Sequence, residues 1–345
     1  MKVNDHSFTA LSMLSEQHDN VSIALWLKRW LQCNIKPPKI SVSDQSIALM
    51  SATVQAFTQY NSLEKYLKAC FSIVHGGKNV EIPLCYIRND INHFIHLVTQ
   101  WKPLKLSKFK RTKQLFGRAM GLLVYCRSIE DANPILEAIF VIALSKYDGA
   151  IVSNTKRIVA KRDTPCAKSK KYLQSLISTS QNIVLFDDET EEQHFEGDDS
   201  LETDLQNFDL SNSFRDWAKS VSTKCEAQIS GIEGEFDNAQ YTPDIVPLII
   251  NIMKLFPCWS SIMLNVFGYG EDIATSSRSE SNFNNIKTRV FNNENMPVRI
   301  DDFVGKLVDY YRGDQLIIQT TNHETTQEII SEDNRSFTLS SSNDK

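Results

Sequence analysis

The stretch Lys39-Ile-Ser-Val-Ser-Asp44 decides the fold, because it predicts a short strand that ends on a carboxylate. Apolar and small polar residues alternate along it after a Pro-Pro pair, as they do in a half-buried strand. From Gln45 to Phe57 apolar residues recur at helical spacing, which puts Asp44 at a strand-to-helix corner. In open sheets flanked by helices, ligands gather outside the carboxyl ends of the strands. Asp44 is therefore a candidate site residue, with helix capping as its alternative role.

A second strand and helix repeat this layout further along the chain. Ile82-Pro-Leu-Cys-Tyr-Ile87 is the predicted strand, and the predicted helix runs from Asp90 to Trp101. The apolar stripe of that helix consists of Ile91, Phe94, Ile95 and Val98. Asp90 and His93 are one turn apart on the same helix, so their side chains should lie close together.

A third carboxylate, Glu280, stands among small polar residues between Thr275 and Lys287. Ser276 or Ser277 can cap the first turn of a helix here. The residues expected to face a core behind Glu280 are Phe283, Ile286 and Val290. Glu280 then lies at the margin of a buried stripe, where it can lean into a cleft as a metal ligand. Its alternative role is a favourable charge near the positive end of the helix dipole.

Four segments together resemble the transposases of Mutator-like elements. They are Pro38-Lys-Ile-Ser-Val-Ser-Asp44-Gln-Ser-Ile-Ala-Leu, Cys85-Tyr-Ile-Arg-Asn-Asp90-Ile-Asn-His93, Phe256-Pro-Cys-Trp-Ser-Ser-Ile-Met263, and Ser276 to Lys287 followed by Pro297-Val-Arg-Ile-Asp-Asp-Phe-Val304. The resemblance covers roughly residues 6 to 312. It implies a catalytic core similar to ribonuclease H, in which three acidic residues bind two divalent metal ions. An aspartate-x-x-histidine pair lies between the second and third acids of that family.

The resemblance assigns a role to each candidate residue. Asp44 corresponds to the second acid and Glu280 to the third, so both are expected to be catalytic and to bind Mg²⁺ or Mn²⁺. Asp90 and His93 correspond to the intervening pair and are expected to be auxiliary. The implied function is DNA strand cleavage and transfer of the DDE class.

The first acid of the family has no counterpart in this chain. In the family it lies upstream of the stretch that begins here at Phe8, and Glu16 and Asp19 follow the corresponding strand rather than precede it. We therefore expect a truncated and catalytically impaired transposase-like protein. The alternative is a non-catalytic DNA-binding or interaction protein derived from a transposase.

The expected fold class is α/β, with a ribonuclease H-like mixed sheet that lacks its first strand and a large helical insertion. Residues 1–104 form the first part of the core and residues 105–260 the mainly helical insertion, with an acidic, disordered loop at about 186–206. Residues 261–315 return to the core and carry Glu280. Residues 316–345 form a disordered tail.

Composition is consistent with an intracellular protein. The 345 residues carry a net charge of −5, and seven cysteines without regular spacing favour reduced thiols over a disulfide framework. No signal peptide is predicted. The most apolar stretch, Ile245 to Leu264, is interrupted by a lysine, prolines and serines, so a buried helix pair is expected rather than a membrane span. The expected location is nuclear or cytoplasmic.

Clustered basic residues predict contact with DNA phosphates, because such contacts release counterions. A solvated surface is the alternative role for each cluster. The candidate DNA-binding residues are Lys105, Lys108, Lys110, Arg111, Lys113, Lys161, Arg162, Lys287, Arg289 and Arg299. Expected partners are transposon-end or host DNA and a second copy of the chain, with no membrane.

Zinc is an alternative metal for this region of the sequence. Cys85, His93 and His96 could serve as ligands, but no second ligand pair stands at a zinc-finger spacing. We therefore expect His93 to orient DNA or a ligating carboxylate through a hydrogen bond.

Overall fold

The computed structural model describes residues 2–3, 6–7, 19–77, 79–105, 110–152, 161–179, 213–292, 298–313 and 315–316. Two compact units divide the chain, one formed by Ser15–Ser276 and the other by Met1–Leu14 with Ser277–Lys345. The predicted acidic loop and Lys108 lie outside the described residues, as does all of the predicted tail except residue 316.

The Ser15–Ser276 unit is mostly helical. Its α-helices, in chain order, are α1 Asn20–Leu31, α2 Ile47–Phe57, α3 Leu63–Val74, α4 Ile91–Gln100, α5 Lys102–Lys105, α6 Lys110–Val124, α7 Ile129–Leu144, α8 Pro165–Thr179, α9 Ser213–Ile229, α10 Ile245–Ile252, α11 Phe256–Trp259 and α12 Leu264–Phe267. Six of these helices begin at a side chain that accepts a hydrogen bond from a backbone N–H of the first turn, which satisfies a donor that the helix itself cannot pair. These N-cap residues are Asp19, Ser46, Ser62, Asp90, Ser128 and Thr164.

A parallel strand pair carries the candidate site. Ile40–Ser43 (β3) pairs with Tyr86–Asn89 (β4), in a register that places Ser43 opposite Asn89. The predicted strand at 39–44 is thus present. The second prediction, a strand over 82–87, is wrong at both ends, because pairing starts at Tyr86 and continues to Asn89. Pro83 in the predicted strand has no N–H to donate to a ladder, and Leu84 is exposed to solvent.

The remaining strands form short antiparallel pairs. In the larger unit Tyr147–Ile151 (β5) pairs with Gly234–Asp237 (β6), with an irregularity in the register. In the smaller unit Lys2–Val3 (β1) pairs with His6–Ser7 (β2). The described strands therefore form three two-stranded sheets. A ribonuclease H-like mixed sheet stays a prediction.

One apolar core joins the N-terminal and helical parts of the larger unit. Phe94 on α4 stacks on Trp259 on α11 with ring centroids 4.3 Å apart, and Phe256 meets Trp259 edge to face at 4.9 Å. Such arrangements are the preferred geometries of aromatic pairs. The core thus extends to both sides of the predicted boundary at residue 104, and the domain boundaries stay predictions.

The segment Ile245–Phe267 is apolar enough, by length and composition alone, to cross a membrane. It contains a 3₁₀ turn at Met253–Leu255, and 78% of its most apolar window is buried inside the protein. A core helix of a soluble protein has the same properties, so this segment is weak evidence for a membrane span.

The smaller unit contains the helix that carries Glu280. This helix, α13, spans Ser277–Asn285 and continues as a π-helix over Ile286–Val290, and a further helix, α14, covers residues 300–313. The prediction that Phe283 faces a core is wrong, because 66% of that residue is exposed. Phe283 is the only large apolar residue among the nine of α13, which is too few for a buried stripe.

Candidate functional site

Asp44 directly follows the last residue of β3, and its side chain is 58% exposed. The cap of helix α2 is Ser46, whose Oγ accepts from the backbone N–H of Leu49 at 3.3 Å. The alternative role of Asp44 as a helix cap is therefore wrong. Asn89 at the end of β4 donates from Nδ2 to the backbone carbonyl of Asp44 at 3.3 Å, which ties the ends of the two parallel strands together.

Asp90 differs from Asp44 in being almost completely buried, with 1% of its surface exposed. It caps helix α4, since Oδ1 accepts from the backbone N–H of His93 at 3.0 Å. Oδ2 accepts from both the backbone N–H and the hydroxyl of Ser276. Burial alone raises the pKa of Asp90, but the hydrogen bonds from His93 and Ser276 outweigh it and hold the pKa well below its ordinary value. Asp90 is thus a charged, internally bonded carboxylate.

His93 lies between the two aspartates. Its Nδ1 is 3.5 Å from Oδ1 of Asp44 and 3.4 Å from Oδ1 of Asp90, and its side chain is 29% exposed. Both distances exceed the usual length of a charge-assisted hydrogen bond. The fold therefore brings together three of the residues singled out in the sequence, at the carboxyl ends of β3 and β4.

Glu280 lies in the first turn of α13, in the smaller unit, and is exposed. A first-turn carboxylate interacts favourably with the positive end of the helix dipole, which is the alternative role that the sequence left open. Its pairing with Asp44 in a metal site stays a prediction.

Two of the predicted DNA-binding residues lie near this site. The pKa of His96 is lowered, first by burial and then by the nearby His93, Lys113 and Lys105. Both lysines therefore lie close to His96, on the exposed face of α4. Lys110 and Arg111 are exposed in the first turn of α6, the helix that also carries Lys113. Lys105, Lys110, Arg111 and Lys113 therefore cluster around the start of α6, with two of them near His96 on α4, and we call this group the basic surface beside α4.

The other candidate basic residues have varied surroundings. Lys161 pairs with Glu235 at 2.5 Å, so part of its charge is already neutralised, and Arg162 is exposed beside it in the chain. In the smaller unit Lys287 and Arg289 are exposed on the π-helix, and Arg299 pairs with Asp301 at 2.9 Å.

The zinc alternative is not favoured by the surroundings of Cys85. Burial raises the pKa of the Cys85 thiol to about 12, so it stays protonated at neutral pH. The thiolate is the form that binds zinc. The exposed oxygens of Asp44 suit a hard cation such as Mg²⁺ or Mn²⁺ better.

Two residues that support the site were missed from the sequence. Arg88 is 1% exposed although it carries a charge, and Ser276 bonds to Asp90 rather than only starting a helix. An arginine that directly follows the apolar run Cys85-Tyr-Ile87 is a signal that could have pointed to Arg88, since buried charges need partners. No local sequence pattern indicated that Ser276 bonds to a residue 186 positions away.

Comparison with known proteins points to a transposon-related origin. The chain is 27% identical over 304 residues to the 120.7 kDa protein in the NOF-FB transposable element of Drosophila melanogaster. The aligned region covers 88% of this chain but only 27% of that relative, so the chain spans about a quarter of its length. No protein-family model matches the chain. No solved structure matches it either.

Proposed function

We propose that the chain is a transposase-like protein of the DDE class with impaired catalysis, in which Asp44 and Glu280 hold Mg²⁺ or Mn²⁺ for DNA strand cleavage and transfer. His93 and Asp90 are auxiliary, and the place of action is the nucleus or the cytoplasm. The observation that carries the proposal is the exposed carboxylate of Asp44 at the carboxyl end of a parallel strand, with His93 beside it. The likeness to a transposable-element protein supports a transposon-related origin.

The donor atoms present suit such an ion. Mg²⁺ prefers oxygen ligands and keeps several waters, so a few carboxylates suffice. Among the described residues, the only ion pair of the Asp44 carboxylate is the 3.5 Å approach of His93, so its oxygens can still bind a cation. Asp90 already accepts three hydrogen bonds from protein donors, which favours an auxiliary role over a ligand role. If bound there, such ions would supply charge stabilisation for displacement at phosphorus, and Asp44 and Glu280 would hold them.

The test is nicking of labelled duplex DNA by the purified chain as Mn²⁺ or Mg²⁺ is titrated in. Loss of an outer-shell partner of a metal costs up to about 100-fold, and Asp44 and Glu280 are proposed as direct ligands. Asp44→Asn and Glu280→Gln should therefore each lower the metal-dependent nicking rate by more than about 100-fold. DNA binding without metal should change little, because the basic residues are intact.

Glu64→Gln is the matched control for Glu280→Gln. Glu64 is also an exposed carboxylate in the first turn of a helix, so its loss removes the same dipole interaction without touching the site. Equal rates for the parent chain and the Glu280→Gln variant would contradict the proposal, as would nicking that does not depend on metal.

A non-catalytic DNA-binding protein is the second candidate function, favoured by the basic surface beside α4. In that case the chain binds DNA with or without metal and does not nick it. Lys105→Ala and Lys113→Ala should then each reduce affinity and flatten its salt dependence by about one counterion. Lys65→Ala, on the exposed face of α3, provides the control for general loss of positive charge.

A further inference from the structure

A buried guanidinium fixes one end of the segment that covers residues 271–276, which we call the strap. Arg88 on β4 donates from Nη1 to the backbone carbonyl of Glu271 and from Nη2 to that of Asp272 at 2.9 Å. The guanidinium also lies 5.0 Å from the ring centroid of Tyr86. Its fork geometry suits two neighbouring carbonyl oxygens, which a lysine ammonium could not match.

The other end of the strap is fixed to the start of α4. The backbone N–H of Ile91 donates to the carbonyl of Ala274 at 3.0 Å. Ser276 then donates its backbone N–H and its hydroxyl, the latter at 2.8 Å, to Oδ2 of Asp90. Alternate strap residues 272, 274 and 276 are thus held by Arg88, Ile91 and Asp90.

We propose that Ser276 is a positioning residue for the site, because it holds the Asp90 carboxylate in the orientation that sets His93 beside Asp44. This inference rests on the proposed function of Asp44. Two donors occupy Oδ2, so Oδ1 faces the backbone N–H and Nδ1 of His93. Rotation of the carboxylate would break the bonds to Ser276, and the imidazole therefore keeps its place.

Ser276→Ala is the variant that tests this role. It removes the hydroxyl donor, so the Asp90 carboxylate gains freedom and the His93 ring is less well held. We expect a shift of the His93 imidazole signals in the NMR spectrum of the full chain labelled with ¹⁵N-histidine, assigned with His93→Gln. The Mn²⁺ concentration for half-maximal nicking should rise about tenfold, the usual cost of losing an outer-shell partner.

Ser276→Thr keeps both donors and should restore the parent values. Ser261→Ala is the matched control, because the Ser261 hydroxyl also bonds to the strap, at the Asp272 carbonyl and 3.1 Å away, but does not contact Asp90. Should Ser276→Ala fail to fold, Ser276→Cys keeps the side-chain volume with a weaker donor, and we expect a smaller shift in the same direction.

Unchanged His93 signals in Ser276→Ala, or the same shift in Ser261→Ala, would overturn the inference. If the parent chain does not nick DNA, the proposed function fails on its own. The role of Ser276 is then decided by two remaining readouts, the His93 signals in metal-free protein and their broadening on addition of paramagnetic Mn²⁺.

Discussion

Asp148 and Lys170 form a half-buried ion pair that links strand β5 to helix α8. The Lys170 ammonium lies 2.5 Å from Oδ2 of Asp148 and 2.7 Å from Oδ1 of Asn238. Asn238 in turn donates from Nδ2 to the carbonyls of Ile142 and Ser145 at 2.7 and 2.8 Å. The pair is therefore one end of a network of hydrogen bonds that closes the carboxyl end of α7.

Protonation of Asp148 should weaken the fold in acid. Burial is the largest single effect and raises its pKa, but the hydrogen bonds from Lys170, the Gly149 N–H and Cys166, together with the Lys170 charge, outweigh burial and hold the pKa below the ordinary value of 3.8. The carboxylate therefore contributes its full stability above about pH 4, and this contribution is lost as the pH falls through the lower folded-state pKa. Asp148→Asn should cost about 1–3 kcal/mol at pH 7, and less at pH 3.

Urea unfolding between pH 3 and pH 7 measures this difference. Asp163→Asn is the control, because the Asp163–Lys171 pair has the same 2.5 Å separation but is exposed, and exposed pairs contribute little. A constant difference between the parent and Asp148→Asn across this pH range would refute the prediction.

At the scale of elements, close backbone approach decides how β5 pairs with β6. A Cβ on Gly234 would collide with the backbone carbonyl oxygen of Asp148 on the facing strand. Gly149 has φ +79°, a conformation that L-residues with side chains rarely adopt. The pairing and its register therefore depend on two glycines.

Gly234→Ala should destabilise the larger unit by about 1–3 kcal/mol, because backbone atoms cannot move aside as a side chain can. Gly305→Ala, in helix α14, meets no atom within 4 Å and should instead stabilise its helix by about 0.5–1 kcal/mol. Thermal unfolding of both variants measures whether each substitution lowers or raises stability. A neutral Gly234→Ala would mean that the β5–β6 pair does not hold in solution.

At the scale of the molecule, the larger unit folds around aromatic residues from distant parts of the chain. Trp259 is fully buried, stacks on Phe94 and donates from Nε1 to the carbonyl of Ile252 at 3.1 Å. Helix α4 and the α10–α11 region therefore stabilise each other. We expect Ser15–Ser276 to unfold as one cooperative unit.

Trp259→Ala should cost about 3–5 kcal/mol, through lost burial and the cavity left behind. Hydrogen exchange should show the same loss of protection for amides of β4 and of α7, since one core serves both. Loss confined to residues around Trp259 would show instead that the unit consists of separately unfolding parts.

The local sequence was enough to predict a strand over 39–44, which is observed at 40–43, a helix over 45–57, which is observed at 47–57, and the Asp90–His93 pair. Alternation, helical spacing and one-turn neighbours are short-range properties. The local sequence did not predict where β4 starts, since Cys85 and Tyr86 are both apolar and only pairing with β3 separates them. The prediction that Phe283 faces a core was wrong because Phe283 is the only large apolar residue of α13, and one residue cannot form a buried stripe.

The sequence by itself determined which carboxylates stand at helix starts and strand ends. Only the tertiary structure decided that Asp44 is exposed while Asp90 is buried and bonded to Ser276, 186 residues away. It also decided that the buried Arg88 guanidinium donates hydrogen bonds to the backbone carbonyls of the strap. Burial and hydrogen-bond partners depend on which distant segments pack together, and that packing is a property of the whole core rather than of any short stretch.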